Sequence, residues 1–111
     1  MRKLLCSLLV ILALSGLAFA HEHEERFVRE EASRRNITLI TLEEAKRIAS
    51  ERIHERGVRF KDADLEDEDD YYRGRNDFRP VWSLEAVAGG QEYDIDVDAV
   101  TGEILKFKID D

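Results

Sequence analysis

The spacing of apolar residues changes twice along this chain. A solid apolar run from Leu4 to Phe19 is broken only by Cys6, Ser7, Ser15 and Gly16. A charged stretch over 21–38 follows, with few apolar positions: Phe27, Val28, Ala32 and Ile37. Phe27, Val28 and Glu31 lie at helical spacing, but so thin a stripe predicts a frayed or lightly docked helix leading into an extended Asn36–Ile40. Leu42, Ala45, Ile48, Ala49 and Ile53 then fall on one face of a helix predicted from Leu42 to Arg56, with Gly57 as a left-handed stop. Thr41 and Glu44 have the spacing of a capping box, and Ile40 is placed to staple onto Ala45. On the outward face, Glu43 and Arg47 are four apart in the favourable order.

Beyond the helix the period falls to two. Trp82, Leu84 and Ala86 alternate with Ser83 and Glu85, and Tyr93, Ile95 and Val97 alternate with Asp94, Asp96 and Asp98. Gly89-Gly90 between them is a two-residue hairpin signal. It sets Ala86 opposite Tyr93, Leu84 opposite Ile95 and Trp82 opposite Val97, so all six share a face. Asp98-Ala99-Val100-Thr101-Gly102 reads as a type I turn closed by a glycine bulge. One bulge residue at Gly102 puts Val97 opposite Leu105, Ile95 opposite Phe107 and Tyr93 opposite Ile109, with Asp96–Lys106 and Asp94–Lys108 pairs on the other face. Val58 to Leu65 predicts a further strand, although Val58/Phe60 and Ala63/Leu65 differ in parity, which requires a bulge or a half-length strand. The expected fold class is α+β: one amphipathic helix packed on a three- to four-stranded antiparallel meander. A core this small makes Trp82, Leu84, Phe107 and Ile48 its sensitive positions.

The cationic Met1-Arg2-Lys3, the apolar run and the small-x-small Ala18-Phe19-Ala20 together read as an export signal over 1–20, with His21 starting the mature chain. The apolar run is at the short limit for a bilayer span and ends in a cleavage pattern. A periplasmic or secreted location is therefore expected, with no stable membrane insertion after cleavage. Of 111 residues, 17 are Lys or Arg and 25 are Asp or Glu. Cleavage removes Arg2 and Lys3 but no acid, leaving 15 bases against 25 acids. Such a charge repels nucleic acid and anionic membranes and suits cations or basic protein surfaces. Cys6 is the sole cysteine and lies in the signal, so disulfides and thiol catalysis are excluded from the mature chain. Asn36-Ile37-Thr38 is a formal glycosylation sequon, relevant only to a eukaryotic source.

Several stretches resemble the PepSY family, a module of metallopeptidase propeptides and of a spore-germination regulator. They are Ile40-Thr41-Leu42-Glu43-Glu44-Ala45, Ala63-Asp64-Leu65-Glu66-Asp67-Glu68, Val81-Trp82-Ser83-Leu84-Glu85-Ala86, and above all Glu92-Tyr93-Asp94-Ile95-Asp96-Val97-Asp98-Ala99-Val100-Thr101-Gly102-Glu103-Ile104-Leu105. The resemblance runs from about Leu39 to Ile109 and divides the chain into a signal (1–20), a charged segment (21–38) and a PepSY-like domain (39–111). It implies an extracytoplasmic helix-on-sheet module that inhibits or regulates peptidases, and it brings no catalytic residues. The charged 21–38 segment and the acidic-aromatic insert between the first two strands depart from the family pattern.

Candidate chemistry is sparse. His21 and His23, with a free mature amine, have the third-position spacing that encloses Cu²⁺ or Ni²⁺ in a square plane; a disordered charged leader that happens to hold two histidines is the plainer alternative. Asp62 to Asp70 holds seven acids in nine positions. Ca²⁺ loops need ligands converging round a glycine turn, which is missing here, so a solvated edge that discourages aggregation explains the run better. Asp94-x-Asp96-x-Asp98 starts like an EF-hand but has Ala99 and Leu105 where glycine and the bidentate acid belong. Tyr71, Tyr72, Arg73, Arg75 and Phe78 form the candidate partner-binding loop, with the aromatics either offered to a partner or folded back over the sheet. His54 is isolated, and no nucleophile elbow or phosphate-cradling glycine loop is present. The expected function is a non-enzymatic binding or regulatory module, without a cofactor, that acts on an exported protein such as a peptidase. The alternative is a periplasmic protein that binds Cu²⁺ through its mature N-terminus or Ca²⁺ through the acid run.

Overall fold

The computed structural model describes residues 23–68 and 78–110. A first helix, α1 (23–34), precedes α2 (Leu42–Arg52) and four strands, β1 (Arg59–Asp67), β2 (Pro80–Ala88), β3 (Gln91–Asp98) and β4 (Ile104–Asp110). The strands form one antiparallel sheet in chain order, and α2 lies across its apolar face.

The β2–β3 hairpin has the register its alternation demands: Trp82 pairs with Val97, Leu84 with Ile95 and Ala86 with Tyr93. Gly89 and Gly90 both have positive φ, 58° and 78°, which the two-residue turn requires of its central residues. In β1 a bulge between Phe60 and Asp62 resolves the parity conflict. Phe60 opposes Ala86 and Leu65 opposes Trp82, so both halves of the strand turn the same apolar set inward.

The β3–β4 pairing departs from expectation at one point. Tyr93–Ile109, Asp94–Lys108, Ile95–Phe107 and Asp96–Lys106 pair as predicted, but Val97 faces Ile104, and the register shift falls there rather than at Gly102. Asp98 closes its turn tightly, its N–H donating to Glu103 O and its carbonyl accepting from Gly102 N. The strand therefore restarts one residue early, Leu105 becomes the inserted residue, and Ile104 packs on the core in its place.

Helix α2 is shorter than its apolar pattern suggested, ending at Arg52 rather than Arg56. Ile53 leaves the helix with φ −82° and ψ 112° yet stays buried, and its N–H donates to Ala49 O. Thr41 accepts from the Glu44 N–H as a cap should. The expected Glu43–Arg47 pair is replaced, because Arg47 bridges Glu44 at 2.7 Å and Glu51 at 2.8 Å.

Helix α1 is more firmly placed than its composition implied. Val28 and Ala32, four apart, are buried, and Val28 belongs to the core cluster, whereas Phe27 is 49% exposed. Glu25–Arg29 and Glu31–Arg35 bridges brace the outward side. The end is a Schellman stop: Asn36 has φ 57°, its N–H donates to Ser33 O, and the Ile37 N–H donates to Ala32 O.

Trp82 ties the layers together. Its indole N–H donates to Ile40 O at 3.0 Å, while the Ile40 N–H donates to Ala99 O and the Ala99 N–H to Pro80 O. The link entering α2 is thereby held to the β3 end of the sheet. The helices and the turn after α1 also place cations over aromatic rings: Arg29 over Trp82, Arg35 over Phe78, Lys46 over Phe60 and Arg52 over Phe107, at 5.2–5.9 Å. No helix among the described residues is long and apolar enough to cross a membrane.

Candidate functional site

The predicted partner-binding loop springs from the β1–β2 end of the sheet. Tyr71, Tyr72, Arg73 and Arg75 lie outside the described residues. Phe78 is half-buried, packs against the core and carries the Arg35 guanidinium 5.3 Å above its ring. The base of the loop is stapled by one residue. The Arg79 N–H donates to Asp67 Oδ1 at 2.9 Å, and Arg79 O accepts from the Glu68 N–H at 2.8 Å. Its side chain reaches Asp98 Oδ2 at 3.4 Å, linking the loop base to the β3–β4 turn. Asp98 is 3% exposed, and its other oxygen accepts from the N–H groups of Val100 and Thr101.

Strand alternation sends Asp62, Asp64, Glu66, Glu85, Asp94, Asp96 and Asp98 to the sheet face opposite α2, with Lys106 and Lys108 at its β4 side. Acids this dense make one another harder to ionise. The Glu66 carboxyl is pushed up to about 8, first by its hydrogen bond to Glu68, then by partial burial and the charges of Glu68, Glu24 and Asp64. Asp94 is raised too, first by its hydrogen bond to Asp110 and then by burial and the neighbouring carboxylates. Glu24 belongs to α1, so the acidic edge of β1 and the first helix share one electrostatic neighbourhood.

Of the proposed copper ligands, His21 lies outside the described residues, and His23 is an exposed residue of α1. No group of three or more His, Cys, Asp or Glu among the described residues is placed to hold a metal ion. His54 lies just past α2 and lines a cleft that the pattern of the sequence did not reveal.

That cleft, about 210 Å³, opens where the end of α2 meets β3 and β4. Ile53, Tyr93, Phe107 and Ile109 supply its apolar walls, and Arg52, His54 and Glu55 its polar ones. The Tyr93 and Phe107 rings meet at 5.6 Å with a 50° tilt, and Arg52 sits 5.2 Å above Phe107. Ile109 is 47% exposed. The signal for the cleft lay in Phe107 and Ile109, at the end of the apolar row that α2 is too short to cover. A larger hollow of about 470 Å³ beside α1 is lined, among the described residues, by that helix alone.

The helix across a four-stranded meander, with its Asp and Thr-Gly turn intact, is the arrangement implied by the sequence resemblance. The family model described as "Peptidase propeptide and YPEB domain" matches residues 39–108. The chain belongs to the PepSY family. Helix α1 lies wholly outside the matched segment, yet it contributes Val28 to the same core. Neither a curated protein nor a solved structure matches the chain.

Proposed function

We propose that this PepSY protein is exported, loses residues 1–20, and works without a cofactor as a non-enzymatic binding module that docks on another exported protein and restrains it. A peptidase is the partner class to which the family points. The observation that carries this reading is the match over 39–108, which spans the helix, the sheet and the turn between β3 and β4. The contact assigned to the partner is the acidic β1 edge together with Tyr71, Tyr72, Arg73, Arg75 and Phe78. Two features support that choice. β1 is a terminal strand of the sheet, and Arg79 anchors the loop base by its main chain and its side chain at once. Tyr and Arg are the side chains that most often carry the energy of a protein contact.

Titrating the purified protein into exported peptidases of the source cell, with casein as substrate, tests the reading. A saturable fall in hydrolysis, abolished by heat-denaturing the added protein, is the expected result. Hydrolysis that stays flat across the titration overturns peptidase restraint.

A further inference from the structure

Helix α1 begins at His23, and that histidine is exposed. Val28, further along the same helix, is fully buried in the core, so His23 starts an element docked on the domain rather than a loose leader. We propose that the mature protein carries a Cu²⁺ site made of the His21 amine, the main-chain nitrogens of Glu22 and His23, and His23 Nδ1. This goes beyond the binding-module reading and rests on one part of it, export with cleavage after Ala20.

A histidine in third place behind a free amine closes successive chelate rings in one plane. Cu²⁺ favours that tetragonal arrangement of nitrogens and heads the affinity order of the divalent first-row ions. Only one side chain is needed, which is why the site does not depend on a cluster of ligating residues. The peptide nitrogens of Glu22 and His23 each lose a proton to solvent as the ion binds. In the middle of a helix that would break a hydrogen bond, because each N–H there is committed to the carbonyl four residues back. The first turn is different, since its N–H groups have no such acceptor within the helix, and His23 is the first residue of α1. Chelation therefore costs α1 none of its internal bonds. Charge favours a cation as well. Glu22 and Glu24 flank His23 in the chain, and Glu24 is close enough to the acidic β1 edge to act on Glu66.

Visible-absorption titration with a Cu²⁺ salt tests this on protein released from a fusion so that His21 is its first residue. The expected result is a single equivalent bound with the violet band of a square-planar nitrogen site, and no displacement by excess Zn²⁺, which prefers a tetrahedral shell. A Gly-Ser-Gly extension ahead of His21 leaves every side chain in place and should abolish the band. His23→Gln should abolish it too, whereas His21→Gln should keep it. An unchanged band in the extended protein or in His23→Gln overturns the site. The extension touches nothing in the folded domain, so that comparison stands even if a substitution disturbs α1. N-terminal sequencing of the protein recovered from the exported fraction of the source cell tests the cleavage separately. A start other than His21 overturns the site through its processing, while the right start without the band overturns the chelate itself. Copper binding with peptidases unmoved supports the site and overturns peptidase restraint alone.

Discussion

Asp98 shows how much one carboxylate can organise. One oxygen accepts two main-chain N–H groups of the β3–β4 turn and the other faces Arg79, so turn and loop base are joined through a side chain 3% exposed. Asp98→Ala removes the two turn hydrogen bonds and the Arg79 contact together, which should cost about 2–3 kcal/mol in urea unfolding. Asp98→Asn keeps the turn acceptor and should cost less than the alanine variant. Equal losses would mean that the turn acceptor contributes nothing beyond the charge. The place of Asp98 in a turn before Thr-Gly was legible in the sequence. Its bond to Arg79 was not, because the two are brought together only by strand pairing across β2 and β3. The same holds for Trp82: parity alone put it inward, whereas the partner of its indole, Ile40 O, depends on where the link before α2 docks.

Local signals were read best where two of them agreed. In the β2–β3 hairpin, turn chemistry and alternation specify one register, and that register is present. At β3–β4 the glycine was correctly placed in the turn, but alternation cannot say which residue a bulge inserts, and Leu105 rather than Gly102 is the extra one. The end of α2 was overrun because Ile53 fits the helical stripe equally well as the first residue after it. Helix α1 is firmer than its composition suggests for a different reason. Intrinsic helicity is a weak guide when two apolar residues find a core and Asn36 closes the last turn. If Val28 holds α1 to the sheet, Val28→Ala should lower stability by about 1–2 kcal/mol. An unchanged unfolding midpoint would mean that α1 frays in solution.

Across the whole molecule, acid on one sheet face makes stability depend on pH. Glu66 is raised to about 8 in the folded chain from an ordinary value of 4.5. The folded state therefore holds a proton that the unfolded state has lost throughout that window. Stability from this group is full below about 4.5, declines as pH rises, and is gone above about 8. The upward shift of Asp94 acts in the same direction. Melting temperature should thus fall across this range, and Glu66→Gln should flatten the fall. A slope identical to wild type would remove Glu66 as its source.

The contact proposed for the exported partner is the β1 edge with its loop. The most direct test of the module reading is photocrosslinking in living cells from p-benzoylphenylalanine placed at Tyr72, with Glu43 on the exposed side of α2 as the control position. A dominant adduct between position 72 and another exported protein, absent from position 43, is the predicted result. Adducts that are the same from both positions, or that join only copies of this chain, would contradict it.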